Sequence, residues 1–108
     1  MGSRRRPVAW TDAATRDLGA IRAYLSARSP QGSLGVVRRV VACTRRLGEF
    51  PEMGAVAEEL FPEVRVRRVV SPPYKVYYRV EDERVLVLRV WDTRRDPSDL
   101  DVDASPGE

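Results

Sequence analysis

"VRVRRVVSPPYKVYYRVEDERVLVLRVWDTRRDP", residues 64–97, decides the fold, because over this stretch the spacing of apolar residues falls to two. Val64 and Val66 alternate with Arg65 and Arg67. Val76, Tyr78 and Val80 alternate with Lys75, Tyr77 and Arg79, and Leu86, Leu88 and Val90 alternate with Val87, Arg89 and Trp91. Successive side chains on a strand point to opposite faces, so this period marks strands with one face turned to a core. Ser71-Pro72-Pro73 and Glu81-Asp82-Glu83 read as the turns between them, which makes an antiparallel meander. Arg68 next to Arg67 breaks the alternation and predicts a bulge or register change there.

Upstream the period lengthens to that of helices. Val8-Ala9-Trp10 is a short extended piece, and Thr11 follows where an N-cap belongs, with Asp12 in the first turn. Ala14, Leu18, Ile21 and Leu25 then form one apolar stripe that ends near Ser29-Pro30. A second helix runs on Leu34, Val37, Val40, Val41, Thr44 and Leu47, carries Arg38, Arg39, Arg45 and Arg46 on its outer side, and stops at Gly48 and Pro51. Phe50–Glu63 is a turn-rich connector with a single weak helical turn around Ala57–Leu60.

The order strand, helix, helix, three strands implies an α+β domain. An N-terminal strand and a helical hairpin pack on one face of an antiparallel sheet. Val76, Tyr78, Val80, Leu86, Leu88 and Val90 are expected to face the helices. The opposite face then receives Arg65, Arg67, Lys75, Tyr77, Arg79, Arg89 and Trp91. Cations interleaved with aromatics suit a polyanion, since guanidiniums bind phosphate in pairs of hydrogen bonds while rings stack on bases. The same set suits an acidic protein segment.

A chain of 108 residues supports one modest core, and 43% apolar with 32% charged residues is a globular composition. The charge is divided along the chain. Residues 1–95 hold all 19 basic residues and 11 acids, net +8, while residues 96–108 hold five acids and no base, net −5. Three segments are therefore expected: a basic flexible N-terminus at 1–7, the domain at 8–97, and an acidic disordered tail at 98–108. A lone Cys43 cannot form an internal disulfide, which favours a reducing cytoplasm. No histidine is present, so the commonest general base and metal ligand is missing, and neither a metal nor a cofactor is expected. No apolar run is long enough to span a membrane.

"VAWTDAATRDLGAIRAYLSARSP", "LGEFPEMG" and the 64–97 stretch, in this order, resemble the RelE/ParE superfamily of bacterial type II toxin–antitoxin toxins, nearest the ParE-like branch. The Trp-Thr-x-x-Ala opening, the Phe-Pro-x-x-Gly connector and the Tyr-x-x-x-Tyr-Arg-Val strand carry the likeness over about residues 8–97. The resemblance implies a β-α-α-β-β-β fold and a growth-inhibiting, plasmid-stabilising toxin neutralised by a cognate antitoxin. Operator DNA is then reached only through that antitoxin. ParE-like members are described as poisons of DNA gyrase, and RelE-like members as cutters of mRNA on the ribosome. A non-toxic relative that keeps antitoxin binding is a third alternative.

By position, Arg67 matches the arginine of the family's second strand, and Arg94 or Arg95 the arginine after its last strand. The Tyr or His that follows in cutting members has no counterpart in Asp92–Leu100. If the chain were a nuclease, Arg67, Tyr77, Arg94 and Arg95 would be its catalytic set. Otherwise Arg65, Arg67, Lys75, Tyr77, Arg79, Arg89, Trp91, Arg94 and Arg95 form a surface for the target or the antitoxin. Arginine stabilises developing negative charge but does not accept a proton. An aspartate flanked by arginines is a poor base. The residues favour binding over cutting.

Overall fold

Thr11 is the corner of the molecule, standing between strand β1 (Val8–Trp10) and helix α1 (Asp12–Ser26). Its side-chain oxygen accepts from the Ala14 N–H at 3.1 Å, which caps the helix as its position predicts. Its hydroxyl donates to the Leu88 carbonyl at 2.9 Å and its N–H to the Val87 carbonyl at 3.0 Å, so the cap is also pinned to the sheet. The computed structural model describes residues 5–57, 65–95 and 100. Helix α2 (Pro30–Glu49) follows after three residues. The Ser29 hydroxyl accepts from the Gly32 N–H at 3.1 Å, and Pro30 fills the first turn, where its missing N–H costs nothing.

Five strands form one sheet in the order β1-β5-β4-β3-β2, with β2 at Ala55–Val56, β3 at Arg67–Ser71, β4 at Tyr74–Val80 and β5 at Val85–Asp92. The three long strands are the expected antiparallel meander. β1 pairs with β5 in parallel through Val8–Trp10 and Val85–Val87, so the complete sheet is mixed. β2 lies in the stretch that composition reads as a connector. It is held by tertiary anchors: the Tyr78 hydroxyl donates to the Pro51 carbonyl at 2.8 Å and accepts from the Gly54 N–H at 2.9 Å. A Cβ on Gly54 would lie 2.6 Å from the Arg68 carbonyl oxygen and 2.7 Å from that hydroxyl, so the close approach requires glycine.

The sheet is apolar on both faces, which corrects the expected division of residues. On the helix side Ala14, Val40 and Leu47 pack with Tyr74, Val76, Tyr78, Val85, Val87 and Val90. On the other side Val66, Tyr77, Leu86, Leu88 and Trp91 form a second cluster with Leu100. Leu86 and Leu88 thus face away from the helices. The cause is a bulge: Tyr77 pairs with Arg89 but Tyr78 with Val87, so Leu88 is the extra residue and the phase of β5 changes across it. The irregularity is here and not at Arg67-Arg68, where β3 pairs with β4 without interruption. Val66 belongs to the second cluster, so Arg67 sits on the helix side opposite Tyr78, and Arg68 shares the other face with Tyr77.

Leu34, expected in the helical core, is 46% exposed, and Ser33 is buried in its place. Ser33 donates its hydroxyl to the Arg22 carbonyl at 3.1 Å, which ties α2 to α1. The expected helical turn beyond Ala57, the start of the meander at Val64, residues 1–4 of the N-terminus and the acidic tail apart from Leu100 lie outside the described residues. Among the described residues no helix is long and apolar enough to cross a membrane.

Candidate functional site

The exit of β5 gathers four of the nine residues that the sequence singles out, Arg89, Trp91, Arg94 and Arg95, and its geometry follows from where β1 ends. β1 covers β5 only as far as Val87, and beyond that point α1 takes over the open edge. Asp17 on α1 accepts from the Val90 N–H at 2.9 Å and takes Arg89 in a fork, Nε to Oδ2 at 2.7 Å and NH2 to Oδ1 at 2.9 Å. Both side chains are mostly buried, 18% and 14% exposed. Arg89 is a tether between sheet and helix, and a two-pronged guanidinium–carboxylate contact suits that role.

Arg94 closes on Asp92 in the same forked manner, Nε to Oδ1 at 3.0 Å and NH2 to Oδ2 at 2.6 Å, while its own N–H donates to Oδ1 at 2.8 Å. These bonds, opposed by partial burial, bring the Asp92 pKa down to about 2. The same partner raises the pKa of Arg94 above its ordinary value. The Arg95 guanidinium lies 3.9 Å from the centre of the Trp91 ring, a cation–π contact, with that of Arg89 at 5.3 Å. Trp91 itself is buried at 2% exposure and Tyr77 at 0%, so neither aromatic forms the expected open stacking surface.

The remaining predicted residues are spread over the sheet. Arg79 and Arg84 clamp Glu81, Arg84 at 2.6 Å, and hold its pKa below the usual carboxylate range. Arg67 donates to the Gly54 carbonyl at 2.7 Å and, at 3.4 Å, to that of Glu52. It shares a small groove of about 230 Å³ with Glu52, Arg65 and Val80. Arg65 is exposed, and Lys75 stands half-buried between Val70 and Trp91 in the register of the sheet. Most of the arginines predicted for one cationic face therefore have protein partners, and they do not form one continuous surface.

Sequence reasoning missed Asp17, Tyr24 and Tyr74, which with Ala20, Ile21, Asp92, Arg94 and Arg95 line a groove of about 370 Å³ between α1 and the strand exit. Tyr24 is 53% exposed, with the Arg28 guanidinium 3.9 Å from its ring centre. Tyr74 is buried, and burial and then Asp92 raise its pKa. Asp17 had a signal, an acid directly beside the apolar stripe of α1. The tyrosines had none, since the groove is a product of how α1 lies on the sheet. Half-buried Cys43 has its thiol pKa pushed up by burial, as suits an inert group. No cluster able to hold a metal ion occurs among the described residues.

Comparison with known proteins places this geometry in context. A family model described as the ParE toxin of type II toxin–antitoxin system, parDE, matches residues 8–97. Toxin RelE2 of Caulobacter vibrioides is 36% identical over 83 residues, which is 77% of this chain and 90% of that protein. A solved structure titled as the chromosomal ParDE toxin–antitoxin system from P. aeruginosa superposes with a TM-score of 0.69 at 26% identity, covering 83% of this chain and 98% of that one.

Proposed function

The chain belongs to the ParE toxin family of type II toxin–antitoxin systems, and from that premise we propose that it arrests growth by binding its target, DNA gyrase, and not by cutting mRNA. A cognate antitoxin holds it inert. The observation that carries this reading is the state of the groups that cleavage would need. Attack by a ribose 2′-hydroxyl requires a base, an acid and stabilisation of the phosphorane. Arginines at the strand exit supply only the last. Asp92 is clamped by Arg94 with its pKa lowered to about 2, and Tyr77 is sealed in the second cluster of the sheet.

Arg65, Arg94 and Arg95 are the exposed members of the predicted set and the ones we assign to contact with target or antitoxin. Arg94, although paired, keeps 74% of its side chain exposed, so its outer edge still faces a partner. Induction without antitoxin is expected to stop growth, and co-expression of the antitoxin to restore it. Purified toxin is expected to inhibit gyrase supercoiling, and R94A/R95A to weaken both effects at equal protein level. Unchanged supercoiling would remove gyrase as the target.

A second reading, a ribosome-dependent endoribonuclease, is favoured by one observation: the groove beside Arg94 and Arg95 carries Tyr24 and Tyr74. In that reading exposed Tyr24 takes the proton-transfer role that Tyr77 cannot reach, and Y24F abolishes cleavage.

A further inference from the structure

Helix α2 carries Arg38, Arg39, Arg45 and Arg46, and its only acid is Glu49 at its last residue. With 3.6 residues per turn, Arg38 and Arg45 fall in one row and Arg39 and Arg46 in a second, each pair about 10 Å apart along the axis. Val40, Thr44 and Leu47 are buried on the opposite side of the helix, so all four arginines project outward, and all are exposed. Between the rows lie Gly35 and exposed Ala42, with Glu49 following one turn after Arg45 and Arg46. A Cβ on Gly35 would lie 3.5 Å from the Arg39 guanidinium, which therefore lies along the bare backbone.

None of the four arginines makes a side-chain hydrogen bond or an ion pair with a described residue. Glu49, the one carboxylate on this side of the helix, faces Arg5 at 3.9 Å. The backbone N–H of Arg6 donates to the carbonyl of buried Gly48 at 2.9 Å, which holds Arg5 beside the last turn of α2. Capping of the helix dipole accounts for Arg46, in the last turn, but not for Arg38 and Arg39 in the middle of the helix.

The geometry points to α2 as a second functional surface, a seat for the phosphate backbone of duplex DNA that is separate from the strand exit. Four guanidiniums with no described partner, in two rows on a rigid rod, match a polyanion of regular spacing, since about 10 Å equals three steps of about 3.4 Å along the duplex axis. The small residues between the rows allow close approach. The ridge has no aromatic side chain between its arginines for stacking on unpaired bases, which favours duplex over single strand. It also has no apolar anchor between them for a folded acidic peptide. Contacts to phosphate alone make the binding independent of sequence.

The test is fluorescence anisotropy of the full-length chain with a labelled short duplex of arbitrary sequence over a salt series. Wild type is expected to bind with a log–log salt slope of about −3.6, for four phosphates at about −0.9 each. R38Q/R39Q/R45Q/R46Q is expected to lose at least about tenfold in affinity at low salt and most of that slope, with an unchanged circular dichroism spectrum. R65Q/R94Q/R95Q is expected to keep both. The inference is overturned if wild type fails to bind, if the α2 variant binds as wild type does, if single strands bind more tightly than duplex, or if polyglutamate outcompetes the duplex on this face. No gyrase is present in the assay, so failure here leaves the binding-toxin reading standing.

Discussion

The arginines of the sheet and the arginines of α2 differ in what they face. Arg79, Arg89 and Arg94 each meet a carboxylate, from Glu81, Asp17 and Asp92 in turn, and Arg67 meets backbone carbonyls of the connector. Arg38, Arg39, Arg45 and Arg46 point away from the protein with no carboxylate of α2 among them. The residue type is the same, so composition alone cannot separate the two groups. The difference lies in whether the fold brings an acid to the guanidinium. A paired arginine contributes to stability and its removal exposes its partner. An unpaired arginine on a rigid surface contributes little to stability and is left for a ligand.

The largest effect that would sharpen this contrast is at Arg89. Asp17→Ala leaves a mostly buried guanidinium without its counter-ion and frees the Val90 N–H. It is expected to cost about 3 kcal/mol in chemical denaturation. A loss near zero would break the distinction between tethering and free arginines. Next is the connector that Arg67 helps to hold. Tyr78→Phe removes the hydroxyl shared by Pro51 and Gly54 at a buried position and is expected to cost about 2 kcal/mol.

A smaller effect is expected from Asp92. Its pKa is depressed in the fold, to about 2, from an unfolded value of about 3.9. The pair's contribution is therefore full above the unfolded value and is lost as pH falls from about 4 through about 2. Asp92→Asn is expected to flatten that acid limb of the melting-temperature profile, and an unaltered profile would contradict it. The smallest effect belongs to α2: R38Q/R39Q/R45Q/R46Q is expected to stay within about 0.5 kcal/mol of wild type. Loss of several kcal/mol there would make the ridge structural.

Much of the fold is legible before any coordinates. Thr11 as N-cap, the helix break at Ser29-Pro30 and the two turns of the meander follow from local chemistry, which acts within a few residues. The division of faces is not legible from alternation alone. Val85, Leu86, Val87 and Leu88 are apolar without interruption, the pattern of a strand buried on both sides. Counting only one phase of that run assigns Leu86 and Leu88 to the wrong layer. The bulge that shifts the phase depends on how β4 and β5 pair. Site geometry divides in the same way. Asp92 with Arg94 and Glu81 with Arg79 and Arg84 are neighbours in sequence, whereas Asp17 and Arg89 are 72 residues apart and meet only through the packing of α1 on the sheet.

The central claim, that this toxin binds and does not cut, is tested most directly by adding the purified protein to ribosomes stalled on a defined mRNA and mapping the 5′ ends of the message. The account predicts full-length mRNA at every toxin concentration that arrests growth. Cleavage at the codon in the ribosomal A site, abolished by Y24F or by R94A/R95A, would contradict it.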